Sequence, residues 1–148
     1  MRIDSSPVYL DASGLAKLYV REPDSDDLER ALVGRRDIFV SELAITEVVS
    51  ALARRVRERD VSSRDANRVH RQILADRDRG EFQHVDLSPD IHRAAERLLL
   101  QLGAAIPLRA ADALHLAVAA GIPARAFVTY DRRLHDAAAR MTIFDVYD

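Results

Sequence analysis

The chain has 148 residues, 48% of them hydrophobic and 31% charged, with a formal net charge of −2 and no cysteine. This is the composition of a single globular domain, residues 1–148, long enough to bury about 68–70% of its unfolded surface. It excludes a disulfide framework and a thiolate metal site, and no apolar run approaches the roughly 18–20 residues of a membrane span.

The segment Met1-Arg2-Ile3-Asp4 lacks the apolar core of a signal peptide, so a cytoplasmic protein is expected. With a net charge of −2, contact with nucleic acid must come from a local patch or a bridging cation.

Val8-Tyr9-Leu10 is an apolar run that stops at Asp11, and helical spacing takes over from Gly14 to Val20. This predicts a buried strand ending at Asp11 and a helix starting near Ser13. Pro23 ends that helix, and Asp24 with Asp27 opens a short acidic one, closed by Gly34. Residues 37–40 form a second strand. Ser41 caps a helix over 42–57 whose apolar stripe includes Leu43, Val48, Leu52 and Val56. Ser62 and Asp65 resemble a capping box for a helix over 63–79 that Gly80 stops.

Residues 82–85 make a third strand, and Ser88-Pro89 starts a helix running to Leu102. An apolar helix spans 108–120, a fourth strand 126–129 and a last helix 131–140, with a short edge strand over 142–146. Strands alternating with helices imply an α/β fold, a three-layer α/β/α domain with a mostly parallel central sheet.

Asp112 is the strongest chemical clue. Its helix is apolar on almost every face, and a carboxylate buried there needs a cation, a metal or several donors. A salt bridge to Arg109 or a hydrogen bond from His115 is the bland alternative. Asp11 and Asp131 both stand at strand ends before helices. Each is a ready N-cap, yet parallel strands deliver both to one edge of the sheet. Ser13 offers itself as the cap that frees Asp11.

Glu47 borders a buried stripe, with a solvated helix face as the competing reading. Carboxylates forced together repel unless hard divalent cations neutralise them, and oxygen-only ligation suits Mg²⁺ or Mn²⁺. On that basis metal-free Asp112→Asn is expected to melt higher than the wild type, whereas a salt-bridged Asp112 predicts the reverse. Asp76 and Asp86 read as a solvated and a structural acid. The arginines between Arg54 and Arg71 read as a solvated surface, or as a contact for RNA or an acidic partner.

Four blocks carry a resemblance: Tyr9-Leu10-Asp11-Ala12-Ser13, Ser41-Glu42-Leu43-Ala44-Ile45-Thr46-Glu47-Val48, Ala111-Asp112-Ala113-Leu114-His115-Leu116-Ala117 and Phe127-Val128-Thr129-Tyr130-Asp131-Arg132-Arg133-Leu134. Together and in this order they resemble the motif blocks of PIN domains, most closely those of VapC toxins. The resemblance implies a Mg²⁺- or Mn²⁺-dependent endoribonuclease whose acidic quartet is Asp11, Glu47, Asp112 and Asp131, supported by Ser13 and Thr129. It also implies an RNA substrate, a cognate antitoxin and a cytoplasmic homodimer. One rival is a haloacid dehalogenase-type phosphatase, which needs a second acid two residues after the first, where this chain has Ser13. The other is a non-catalytic RNA- or protein-binding module, against which the four acids argue.

Overall fold

Three consecutive apolar residues make β1 (Val8–Leu10) the centre of the sheet, and none of them is exposed. In the computed structural model, which describes residues 1–148, β1 lies between β2 (Ile38–Ser41) and β4 (Ala126–Val128). β3 (Gln83–Val85) and β5 (Asp145–Tyr147) form the edges, in the order β3-β2-β1-β4-β5. Every pairing is parallel, with Leu10 in register with Val40 on one side and Val128 on the other. Successive side chains of a strand point to opposite faces, so this sheet needs cover on both.

Val8, Leu10, Val40 and Val128 pack to one side against Leu15, Leu28, Val48, Leu52 and Ile73. These come from α1 (Ala12–Tyr19), α2 (Ser25–Leu32), α3 (Glu42–Arg57) and α4 (Ser63–Asp78). Tyr9 and Phe127 point the other way, into a cluster with Leu116, Val118 and Leu134. Those belong to α6 (Ala110–Ala120) and α7 (Arg132–Arg140), while α5 (Pro89–Leu102) packs outside α6. The result is a three-layer α/β/α fold.

Local signals account for most boundaries. Ser41, Ser62 and Ser88 each accept a backbone N–H at the start of the helix they cap. The expected mostly parallel sheet is parallel in every pairing. Three expectations shift. The edge strand begins at Asp145, because Thr142 takes a left-handed φ of 57° that breaks extension after α7. The apolar helix starts at Ala110, since Arg109 remains extended. Asp76 is no solvated acid: its side chain is 15% exposed and accepts the Tyr19 hydroxyl at 2.8 Å.

Strand order reverses direction at β1. The chain moves outward from β1 to β2 and β3, then crosses back to place β4 on the other side. Open α/β sheets bind ligands in the crevice beyond the carboxyl ends of such strands. Asp11 and Asp131 both stand at that edge.

Candidate active site

Asp11 directly follows β1 and is 3% exposed. Its carboxylate is held by three donors. Oδ1 accepts the Ser13 hydroxyl at 2.7 Å and the Gly14 N–H at 2.8 Å, and Oδ2 accepts the Thr129 hydroxyl at 2.6 Å. Asp11 therefore caps α1 itself, and the expectation that Ser13 would cap in its place is corrected. The Ser13 oxygen instead accepts the Tyr130 N–H at 2.8 Å, tying α1 to the end of β4. Gly14 makes this close approach possible, because a Cβ there would stand 3.3 Å from the Val128 carbonyl oxygen. Burial pushes the Asp11 carboxyl above its ordinary range, opposed by His115 and by the three hydrogen bonds.

Asp131 follows β4 as the N-cap of α7, its Oδ1 accepting the N–H groups of Arg133 and Leu134 at 2.8 and 3.1 Å. Its own N–H donates to the Thr129 hydroxyl oxygen at 3.1 Å, so Thr129 bridges Asp11 to Asp131. Asp112 lies in the first turn of α6, and its Oδ2 accepts the Arg109 backbone N–H at 2.8 Å. The same oxygen accepts Arg133 Nε at 2.8 Å, and Arg133 Nη2 lies 3.5 Å from Asp131 Oδ2. Asp112 is thus salt-bridged to Arg133 rather than to the Arg109 side chain, and His115 does not reach it.

His115 turns to Glu47 instead, with Nε2 2.6 Å from Oε2. The Glu47 carboxylate only accepts, so Nε2 carries a hydrogen. On the other ring edge, Nδ1 lies 2.7 Å from the Tyr9 hydroxyl, which is 3.0 Å from Ser41 Oγ. Ser41 Oγ in turn accepts the Ala44 N–H at 3.2 Å. Burial keeps the Tyr9 phenol far above its ordinary range, hence protonated. A buried chain of polar groups from β1, β2 and α6 therefore braces Glu47, the candidate acid on α3.

Hydrogen bonds and ion pairs join three of the candidate acids, Asp11, Asp112 and Asp131, with Ser13 and Thr129, into one network at the carboxyl edge of the sheet. Glu47 stands in a separate one, through His115, Tyr9 and Ser41. Sequence reasoning missed Arg133, Tyr9 and Ser41. The available signal for Tyr9 was a phenol in a strand too buried to leave its hydroxyl without a partner. Arg57, at the far end of α3, lies away from this edge: the helix starts there, and Arg57 is about 15 Å further along it than Glu47 at 1.5 Å per residue.

Comparison with known proteins places this geometry. The PIN-domain family model matches residues 8–140, which include all four acids. The chain is a PIN domain of the VapC family. It is 38% identical over 135 residues to ribonuclease VapC46 of Mycobacterium tuberculosis, covering 88% of this chain and 89% of the relative. Its fold is like that of M. tuberculosis VapC20, a sarcin-ricin loop cleaving toxin, with a TM-score of 0.69 and 17% identity over 88% of this chain and 94% of that one. It is also like that of VapBC2 from Rickettsia felis, crystallised with a DNA fragment from its promoter, with a TM-score of 0.64 and 15% identity over 95% and 96% of the two chains.

A PIN nuclease domain points to use of a divalent metal, and the donors in this cleft suit one. Asp112 Oδ1 and Glu47 Oε1 receive no hydrogen bond, Asp131 Oδ2 has only the long Arg133 contact, and Asp11 Oδ2 keeps one lone pair free. Each of the four candidate acids thus retains a hard oxygen that could face a cation. The four acids do not themselves crowd to ligand distance. Three potential ligand atoms come within 4.8 Å of one another only at Glu42, His84 and Asp86, a largely exposed group at the ends of β2 and β3 that the sequence pattern did not single out.

No helix is long and apolar enough to cross a membrane.

Proposed function

We propose that this VapC-family PIN domain, residues 1–148, is a Mg²⁺- or Mn²⁺-dependent endoribonuclease that acts as the toxin of a toxin–antitoxin pair. Asp11 and Asp112 are its primary metal ligands, and Glu47 and Asp131 hold a second ion or its waters. The observation that carries the reading is the network joining Asp11, Asp131 and Asp112 at one sheet edge, with Glu47 held by His115 from the same helix as Asp112, all within the family match.

When bound, a divalent cation lowers the pKa of a water and stabilises charge on a phosphodiester. The chain's own part is positional. Ser13, Gly14 and Thr129 fix both oxygens of Asp11, so its free lone pair points in one direction. Thr129 sets the distance from Asp11 to Asp131, and His115 holds Glu47 by one oxygen while leaving the other open. Burial, which disfavours an ionised Asp11, makes that carboxylate a strong partner for any cation that enters.

RNA is the substrate by this reading, a cognate antitoxin the partner, the cytoplasm the place of action and a homodimer the assembly. Relatives named ribonucleases and a VapBC structural neighbour support it.

The deciding experiment incubates purified protein with a panel of structured RNAs in Mn²⁺, Mg²⁺ or EDTA. Cleavage that needs either ion and stops on chelation is the expected result. Tight RNA binding without cleavage in any ion would favour the binding-module alternative.

A further inference from the structure

Arg133 stands on the first turn of α7 with its side chain 24% exposed, and it belongs to two environments. Inward, Nε donates to Asp112 Oδ2 at 2.8 Å and Nη2 lies 3.5 Å from Asp131 Oδ2. Outward, Arg133 lines a cavity of about 640 Å³ between α7 and residues 105–107, together with Arg132 and Arg140. It therefore sits on the boundary between the acidic cleft and a groove rich in arginine.

A guanidinium presents a rigid fork of donors that fits carboxylate and phosphate equally well. With no divalent ion present, Arg133 is the cation that balances Asp112 and Asp131. A divalent ion on the free oxygens of those two acids would bring like charge within a few ångströms of the guanidinium, and the repulsion at that range is large compared with thermal energy. One face of the cleft cannot hold both cations at full strength.

We infer that Arg133 is an exchanging counter-ion. It competes with the divalent cation for Asp112 and Asp131, and once displaced it turns into the groove to bind an RNA phosphate. The inference rests on the nuclease reading above and makes Arg133 a metal-gated substrate contact rather than a fixed brace for Asp112.

Two measurements on the intact protein test it. Isothermal titration with Mn²⁺ compares the wild type with Arg133→Gln and Arg133→Lys, after melts establish that all three are folded. Arg133→Gln removes the competing charge and should bind Mn²⁺ more tightly, on the order of tenfold, within the usual range for coupling between two ligands of one site. Arg133→Lys keeps the charge and should fall nearer the wild type. Binding of a labelled RNA hairpin is then measured in Ca²⁺, a hard ion used as the probe, and in EDTA. Arg133→Gln should weaken RNA binding in Ca²⁺ and leave it unchanged in EDTA, where the acids already hold the arginine.

Equal or weaker Mn²⁺ binding by Arg133→Gln would overturn the exchange, because a bracing arginine predicts that sign. The same RNA defect with and without Ca²⁺ would also overturn it. If those results came with RNA cleavage by the wild type that still required Mn²⁺, the nuclease reading would stand and only this inference would fall. If wild type and variants alike bound no Mn²⁺, both would fall.

Discussion

Removing the Asp112 charge in the absence of metal should destabilise the protein, although crowding among four carboxylates predicts the opposite. Asp112 Oδ2 takes two hydrogen bonds, from the Arg109 N–H and from Arg133 Nε, both at 2.8 Å. A bond to a charged group contributes roughly 1.5–3 kcal/mol, about twice a neutral one. The Asp112 and Arg133 side chains are 10% and 24% exposed, so solvent screens part of this. Asn at 112 retains an oxygen for the Arg109 N–H and loses mainly the charge on the arginine bond, a net cost of about 1 kcal/mol.

In a domain of this size 1 kcal/mol moves Tm by roughly 2–4 °C, so Asp112→Asn should melt about that much lower. Asp112→Ala also uncaps the start of α6, worth about 1 kcal/mol more, and should melt lower by roughly twice as much. Circular dichroism melts in EDTA measure both. If metal-free Asp112→Asn melted above the wild type, carboxylate repulsion would outweigh the Arg133 pair, and Asp112 would not be held chiefly by that arginine.

Asp11 carries the opposite sign. Its folded pKa is raised by burial, so its stability contribution is complete below the unfolded value of about 3.9 and is lost as pH rises through the folded value. Metal-free Asp11→Asn should therefore gain on the wild type as pH rises above about 4 in parallel melts; a pH-independent difference would contradict the buried charge. Tyr9→Phe leaves His115 Nδ1 and Ser41 Oγ without their phenol. It should cost about 1–3 kcal/mol in urea unfolding and slow RNA cleavage by loosening Glu47, so a stable and fully active variant would remove the bracing role. Saturating Mn²⁺ should raise the wild-type Tm by mass action, about 2.7 kcal/mol at a hundred times Kd, with no shift when EDTA is in excess.

The layers and most element boundaries were legible because their causes are local: a run of apolar residues at Val8, serines one residue before α3, α4 and α5, proline at the start of α5. The four candidate acids were picked out partly by context and partly by resemblance, Glu47 chiefly by the latter. What holds them in place was not legible, because those partners are distant in the chain. Ser13 meets Tyr130 across 117 residues, His115 meets Glu47 across 68 and Asp112 meets Arg133 across 21. No periodicity encodes such contacts. Asp112 also shows how a nearby candidate misleads: Arg109 does contribute, but through its backbone N–H, while the charge comes from another helix.

That these acids cut RNA by holding a cation is tested most directly by Asp11→Asn, because the variant is expected to fold at least as well as the wild type. Initial rates on one structured RNA in Mn²⁺ should fall by orders of magnitude in Asp11→Asn while its Tm is maintained. Cleavage by that variant at the wild-type rate, or wild-type cleavage that persists in EDTA, would contradict a cation held by this carboxylate.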